Sequence, residues 1–173
     1  MSRFPHLFTE RLELAPIAKE ENEETWLIFT EPFVRKYLWD DTIISLETVG
    51  DILRENRHCF EERNWGLWWI LEREKGIKLG FAGLWIFFAE DQPQLIYGLL
   101  PQYWGKGFAS EAAHRLCTYA AQDLGFLYLT ASCDLANTAS QRVALQIGME
   151  KYKEEVIDGK PTCFFKIAFG EKR

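Results

Sequence analysis

Several features that mark other classes of protein are scarce in this sequence. Its 173 residues include only four cysteines and three histidines. The cysteines form no C-x-x-C pair, so a metal site built from Cys and His ligands is not expected. Four scattered thiols are typical of buried apolar side chains in a reducing compartment. Because no apolar leader begins the chain and no run of 18 uncharged apolar residues occurs, we expect a cytoplasmic protein without a membrane span.

A basic excess is also missing. The 20 Lys and Arg residues are outnumbered by 26 Asp and Glu, which gives a net charge of −6. Nucleic acids and anionic membranes attract basic surfaces, and neither is expected as a partner. The G-x-S-x-G nucleophile motif is absent, and His6, His58 and His114 form no recognisable triad pattern. An unrelated hydrolase is therefore disfavoured.

The chain has enough apolar material for one folded domain, expected over residues 1–173, because 47% of its residues are apolar and 15% are aromatic. Periodicity and turn residues predict strands at 12–16, 65–71, 79–88, 94–100, 126–133, 149–157 and 161–169, and helices at 19–29, 32–38, 46–63, 109–124 and 138–147. This order predicts an α/β fold with a mixed, mostly antiparallel sheet flanked by helices. The strands at 94–100 and 126–133 form its one parallel pair. A ligand is expected at their carboxyl ends.

The most informative segment is 101–112, where a strand ends at Pro101, two glycines follow and a helix begins. The first N–H groups of a helix lack intrahelical partners, and the helix dipole is positive there. Gly105 and Gly107 carry no side chain that would keep a phosphate from these N–H groups, and Lys106 adds a positive charge. The segment is a candidate diphosphate site, although the glycines alone are equally compatible with a simple tight turn. Neither G-x-G-x-x-G nor the P-loop motif fits it.

Residues 102–107 match the pattern Q/R-x-x-G-x-G/A and resemble the acyl-CoA diphosphate motif of the GCN5-related N-acetyltransferase (GNAT) superfamily. Residues 9–16, 97–112, 137–142 and 148–149 are similar, in the same order, to blocks of its ribosomal-protein alanine N-acetyltransferase branch. The resemblance implies a GNAT fold and transfer of an acetyl group from acetyl-CoA, without a metal, to a primary amine of a protein N-terminus or a small molecule. It also implies a monomer or homodimer. A non-catalytic acyl-CoA-binding sensor is the alternative.

The resemblance further implies that the parallel strands splay apart and hold coenzyme A between them. It assigns coenzyme binding to Leu99, Gln102, Trp104, Gly105, Lys106, Gly107, Phe108, Ala109 and Asn137. Asn137 is also a good N-cap for the helix that begins at Thr138, so a purely structural role stays open. Glu111 is expected to stabilise the helix dipole rather than to act in catalysis, because a carboxylate facing the diphosphate would repel it.

The catalytic groups depart from the superfamily pattern at two positions. The Tyr that often lies seven residues after the Asn is replaced by Ala144, and the branch resemblance points instead to Ser140, which is equally an ordinary first-turn residue. The Glu that often precedes the strand Tyr by three residues is replaced by Gln94. The remaining candidate bases are Glu90, Asp91 and Asp134. A weak base favours an α-amine, with a pKa of about 8, over lysine, with a pKa of about 10.4.

The acceptor pocket is expected around the early helices and their loops. Its candidate residues are Tyr37, Trp39, Trp85 and Tyr97, with Trp68 behind them. The neighbouring Asp40 and Asp41 would suit a cationic amine. For each of these rings, the apolar core is the favoured location.

Overall fold

The computed structural model describes residues 3–170, which contain eight strands, five α-helices and one 3₁₀ turn. The strands are β1 (Leu7–Phe8), β2 (Leu12–Pro16), β3 (Leu67–Glu72), β4 (Lys78–Trp85), β5 (Gln94–Leu99), β6 (Tyr128–Asp134), β7 (Glu150–Ile157) and β8 (Lys160–Ala168). The helices are α1 (Asn22–Phe29), α2 (Pro32–Leu38), α3 (Leu46–Arg63), α4 (Phe108–Gln122) and α5 (Thr138–Gln146). The 3₁₀ turn is Pro101–Tyr103, between β5 and α4.

All eight strands form one sheet in the order β1-β2-β3-β4-β5-β6-β8-β7. Every neighbouring pair is antiparallel except β5 and β6, which are parallel because α4 carries the chain back across the sheet between them. The expected mixed sheet with a single parallel pair is therefore confirmed. The crossover places the start of α4 and the start of α5 at the carboxyl ends of the two parallel strands.

Several predicted element boundaries are wrong by a few residues. β4 ends at Trp85 rather than Phe88, because Phe88 and Ala89 both have positive φ angles that a strand cannot continue through. Helix α1 begins at Asn22, three residues after its predicted start. Helix α4 ends at Gln122, two residues before the predicted end at Leu124, which precedes Gly125. The short strand β1 was not predicted.

Helix α3 shows how local sequence fixes a covering helix against the sheet. The hydroxyl of Ser45 accepts a hydrogen bond from the Thr48 N–H at 3.0 Å, which caps the first turn. The buried Asn56 donates to the Ile17 carbonyl at 3.1 Å and accepts from the Leu67 N–H at 2.7 Å. One side chain therefore joins the helix to two segments at the sheet.

Two apolar cores cover opposite faces of the sheet. The core on what we call the α4 face contains side chains of α4, α5 and the end of α3, whereas the α1 face is covered by α1, α2 and the first half of α3. Strand alternation divides the rings of β3 between them, with Trp68 on the α4 face and Trp69 on the α1 face. Trp68 packs edge-to-face against Phe60 and Tyr119, so it belongs to the core and not to the expected acceptor pocket.

Candidate active site

The two parallel strands separate toward their carboxyl ends. β5 pairs with β4 over six residues, but it pairs with β6 at a single position, Gln94 with Thr130. At this point the Ser132 hydroxyl donates to the Gln94 side-chain oxygen at 2.7 Å. Beyond it, residues 96–99 of β5 and 131–134 of β6 bound an opening that we call the wedge.

The backbone of β5 presents polar groups to the wedge. The Leu100 N–H donates to the Leu79 carbonyl at 2.9 Å, and hydrogen-bonded pairs alternate along an antiparallel ladder. The N–H and C=O groups of Leu99 and Tyr97 therefore point away from β4, toward the wedge. The Leu99 carbonyl accepts from the Trp104 indole N–H at 2.9 Å, so the prediction that Leu99 binds the coenzyme rests on its N–H group.

Residues 104–107, which we call the glycine loop, lie at the mouth of the wedge. Gly105 and Gly107 have φ angles of +75° and +80°, in the region that favours glycine. Apart from its chain neighbours, no atom lies within 4 Å of where a Gly105 Cβ would be, and a Gly107 Cβ would lie 3.5 Å from Arg11 Nη2. Gly107 is the N-cap of α4 and supplies no capping side chain. The N–H groups at the start of α4 therefore meet an exposed loop whose glycines leave room for an anion.

The other residues assigned to this loop differ in exposure. Gln102, Trp104 and Lys106 are exposed, and the Phe108 side chain is buried in the core of the α4 face. Phe108 can therefore contribute only its backbone to a ligand. The half-buried Ala109 follows it in the first turn of α4.

An arginine near the start of the sequence reaches this loop, and the sequence patterns did not predict this contact. Arg11 donates to Glu111 from Nε at 2.7 Å and to the Lys106 carbonyl from Nη1 at 3.0 Å. Glu111 also accepts from the Thr9 hydroxyl at 2.5 Å and from the Arg11 N–H at 3.0 Å. Burial acts to raise the pKa of Glu111, but these hydrogen bonds outweigh it and lower the pKa below its ordinary value. Glu111 is thus an ion-pair partner, in accord with its expected structural role.

A second cluster lies where α5 begins. The Asn137 side chain accepts from the Ser140 N–H at 3.2 Å, so Asn137 is the N-cap of α5. The Tyr97 hydroxyl donates to the Ser140 carbonyl at 2.9 Å, and the Ser140 hydroxyl donates to the Tyr97 oxygen at 3.2 Å. Burial raises the pKa of Tyr97, which keeps the phenol protonated. The Tyr97 proton is used on the Ser140 carbonyl, so the cluster offers one hydroxyl donor beside β5, that of Ser140, which can rotate from Tyr97 to a ligand.

The structure does not bring the four expected acceptor residues together. Trp39 and Trp85 pack with the core of the α1 face, whereas Tyr97 packs with the core of the α4 face. Tyr37 is half-buried, and its hydroxyl donates to the Ala136 carbonyl at 3.4 Å, across to the loop before α5. Trp39 has a buried indole N–H with no hydrogen-bond partner in residues 3–170. Tyr97 thus lies with Ser140 and not with the tryptophans.

The acidic residues near the expected acceptor pocket already have cationic partners. Asp40 accepts from Lys160 at 2.6 Å, and Lys160 lies 3.8 Å from Asp134. Asp41 accepts from Arg35 at 2.9 Å. These ion pairs reduce the negative charge that we expected to attract a cationic amine.

Two of the candidate bases lie at the closed end of the wedge, far from Leu99. Glu90 and Asp91 line a surface pocket of about 1070 Å³ near the amino ends of β5 and β6. The five-residue distance along β5 from Gln94 to Leu99 is about 16 Å at a strand rise of about 3.3 Å per residue. Gln94 itself is 1% exposed and bonded to Ser132. Of the carboxylates named above as candidate bases, Asp134 alone lies at the carboxyl end of the parallel pair.

Two further observations bear on the class of site. None of the helices within the described range is long and apolar enough to cross a membrane. In the same range, no group of three or more His, Cys, Asp and Glu side chains is arranged to hold a metal ion.

Comparison with known proteins is consistent across sequence and structure. Residues 11–150 match the family model described as an acetyltransferase (GNAT) domain. The uncharacterized N-acetyltransferase YoaA of Bacillus subtilis is 26% identical over 149 residues, which cover 86% of this chain and 84% of YoaA. An acetyltransferase structure from Agrobacterium tumefaciens aligns with a TM-score of 0.81 and 21% identity, covering 98% of this chain and 97% of its own. A structure of RimL, a ribosomal alpha-N-protein acetyltransferase, in complex with coenzyme A aligns with a TM-score of 0.77 and 15% identity, covering 95% of this chain and 98% of its own. The fold expected from the sequence is therefore confirmed.

Proposed function

The chain belongs to the GNAT acetyltransferase family and is an acetyl-CoA-dependent acyltransferase, and we propose that it transfers the acetyl group directly to a primary amine. The amine is the α-amino group of a protein N-terminus or a weakly basic amine of a small molecule. The alpha-N-protein acetyltransferase activity named for RimL supports the first of these.

The observation that carries this proposal is the wedge with the glycine loop at its mouth. β5 and β6 pair only at Gln94 and Thr130, which leaves the inward-facing backbone of β5 for a ligand. Gly105 and Gly107 place no side chain beside their own N–H groups, and the exposed Lys106 between them adds positive charge. A diphosphate carries the negative charge that these groups attract. We assign the loop to the diphosphate of coenzyme A and the Leu99 N–H to the thioester end.

We assign protonation of the departing thiolate to the Ser140 and Tyr97 pair. When bound, acetyl-CoA supplies an activated acetyl thioester whose thiol has an ordinary pKa of about 8.5, so a weak acid is sufficient. The Ser140 hydroxyl is oriented by Tyr97, and the high pKa of Tyr97 retains its proton near neutral pH. The Ser140 hydroxyl rotates from Tyr97 to the thiolate and gives it a proton, and the proton lost by the attacking amine replaces it, so the products are the amide and the coenzyme A thiol.

The acceptor amine is proposed to approach from the α1 face. Trp39 and Trp85 are partly buried there, and Trp39 holds a buried indole N–H that has no partner within residues 3–170. The proposed direction places the attacking amine and the departing thiol on opposite faces of the sheet. Because the nearby Asp40 and Asp41 are ion-paired, the pocket favours an amine that reaches it uncharged.

A panel of amines tests the transfer reaction. The chain is incubated with acetyl-CoA and each amine, and release of free coenzyme A thiol is followed spectroscopically. We expect turnover with peptides bearing a free N-terminal amine or with small amines of low basicity, and little with lysine side chains in N-terminally blocked peptides. Binding of coenzyme A without turnover on any amine would instead favour the acyl-CoA-binding sensor, for which the replacement of a base by the buried Gln94 is the supporting observation.

A further inference from the structure

Arg11 lies in the turn between β1 and β2, yet its side chain ends at the glycine loop. Its Nε and Nη2 atoms lie 2.7 and 2.6 Å from Glu111 Oε2, and its Nη1 donates to the Lys106 carbonyl at 3.0 Å. The guanidinium carbon lies 4.5 Å from the centre of the Phe108 ring. Arg11 thus contacts both the loop before α4 and the first turn of α4.

The contact with the Lys106 carbonyl fixes the direction of the next N–H group. A trans peptide is planar, and its C=O and N–H bonds point in opposite directions. Because Arg11 holds the carbonyl of the Lys106–Gly107 peptide, the Gly107 N–H points away from Arg11, toward the open side of the loop. Glycine imposes little barrier to rotation of this peptide, so an external contact is needed to select one orientation.

Arg11 is itself held in place. Glu111 accepts from its backbone N–H and its side chain, and also from the Thr9 hydroxyl. The Glu111 N–H donates to the Gly107 carbonyl at 3.0 Å, which ties the same residue to the far side of the glycine. Arg11 and Glu111 carry opposite charges, so the effect of the pair on an anion comes mainly from orientation.

We propose that Arg11 is a positioning residue of the glycine loop. Arg11 orients the Gly107 N–H before the ligand arrives. The proposal rests on the assignment of this loop to coenzyme A. The proposal makes a specific prediction. The orientation of this N–H should change the binding of a thioester that carries the diphosphate and leave the binding of a thioester without it unchanged.

The test compares two acetyl donors. Acetyl-CoA contains the diphosphate, whereas acetyl-pantetheine has the same thioester and pantetheine arm without it. The ratio of kcat/KM for the two donors is measured for the wild type, Arg11→Gln and Arg11→Lys, with the best amine from the panel. We expect the KM for acetyl-CoA to rise about tenfold in Arg11→Gln, corresponding to about 1.4 kcal/mol. The kcat with acetyl-CoA and the kcat/KM with acetyl-pantetheine should stay within about twofold of wild type, a range of about 0.4 kcal/mol.

Arg73→Gln is the matched control. Arg73 packs beside the same turn, where its side chain donates to the Thr9 carbonyl at 2.7 Å. Its substitution by Gln removes the same positive charge as Arg11→Gln does. Its contacts do not include the glycine loop, so both donors should be used as by the wild type. Glu111→Gln releases the Arg11 side chain without removing it, and we expect it also to raise the KM for acetyl-CoA. This variant replaces Arg11→Gln in the test if Arg11→Gln does not fold.

The outcomes separate this proposal from the assignment of the loop. A wild type that prefers acetyl-CoA, together with Arg11 and Glu111 variants that keep the full preference, would overturn the role of Arg11 alone. A wild type with no preference between the donors would overturn the diphosphate site and the role of Arg11 together. Equal losses with both donors in Arg11→Gln would show a general structural defect and would also overturn the proposal.

Discussion

The Tyr97 hydroxyl donates to the Ser140 carbonyl at 2.9 Å and accepts from the Ser140 hydroxyl at 3.2 Å. This reciprocal contact joins β5 to the first turn of α5 across the wedge. It places a protonated phenol and a serine hydroxyl on the α4 face, behind the backbone that is expected to receive the thioester. The sequence gives these two residues different roles, and the structure makes them neighbours.

Ser140→Ala and Tyr97→Phe each remove one hydroxyl of this pair. We expect kcat to fall about tenfold in both, because a thiolate leaves with only modest help from an acid, and affinity for coenzyme A to stay within about twofold. Steady-state kinetics and calorimetry measure the two quantities. Thr138→Ala, at an exposed position in the same turn, is the control. Unchanged kcat in both variants would reduce Ser140 to a first-turn residue.

Asn137→Ala tests the N-cap of α5. The side chain accepts from the Ser140 N–H, and loss of such a cap costs about 1 kcal/mol of unfolding free energy. Because the cap also holds Ser140 in place, kcat should fall together with stability. Ser45→Ala removes the corresponding cap of α3 and should lower stability similarly while leaving kcat unchanged. Urea denaturation and initial rates decide between these effects. A variant of Asn137 with wild-type kcat would separate the cap from catalysis.

Gln94→Met tests the point at which β5 and β6 separate. Gln94 is buried and accepts from the Ser132 hydroxyl, so its replacement leaves the half-buried Ser132 without this partner and should cost about 1 kcal/mol of unfolding free energy. Gln92→Met is the comparison, since Gln92 joins the loop before β5 to β6 through an exposed bond to the Tyr128 carbonyl, and its replacement should cost less than about 0.5 kcal/mol. Equal losses of unfolding free energy in the two variants, measured by urea denaturation, would contradict the importance that we give to Gln94.

Glu111→Gln tests the ion pair through pH. The folded-state pKa of Glu111 is lowered, so its contribution to stability is complete above the unfolded value of 4.5 and is lost as the pH falls through the folded pKa. We expect the variant to be less stable than the wild type by about 1 kcal/mol at pH 7, with the gap closing in increasingly acidic buffer. Unfolding curves from pH 7 down to the acid transition give the answer. A gap that does not change with pH would mean that the Glu111 charge contributes nothing.

The fold was largely predictable because local sequence patterns determine most of its strands and helices. The alternation in β2, the proline at the first turn of α2 and the capping serine of α3 each act within a few residues, and these elements have the bounds that were predicted. The errors arise where a residue breaks a pattern by its backbone angle. Phe88 is a good strand former by residue type, yet its φ angle of 56° places it in the turn that follows β4.

The site was less predictable because its contacts join distant segments. Arg11 and Glu111 are 100 positions apart, and no periodicity relates them. Alternation along β5 does place Tyr97 and Leu99 on one face, but only the packing of α4 and α5 shows which core that face meets. The glycine loop was found because its backbone chemistry lies within one short segment.

The most direct test of the central claim is calorimetric titration of coenzyme A into Gly107→Leu and Gly125→Leu. Both glycines are exposed and have positive φ angles, +80° and +71°, so both substitutions strain the backbone. A Cβ at Gly107 would also lie 3.5 Å from Arg11 Nη2, whereas Gly125 lies at the other end of α4 and its Cβ would meet nothing within 4 Å. If main-chain N–H groups of the loop bind the diphosphate, Gly107→Leu loses at least about tenfold in affinity, or about 1.4 kcal/mol, while Gly125→Leu binds as the wild type does. Equal affinity in the two variants would contradict the assignment of the loop.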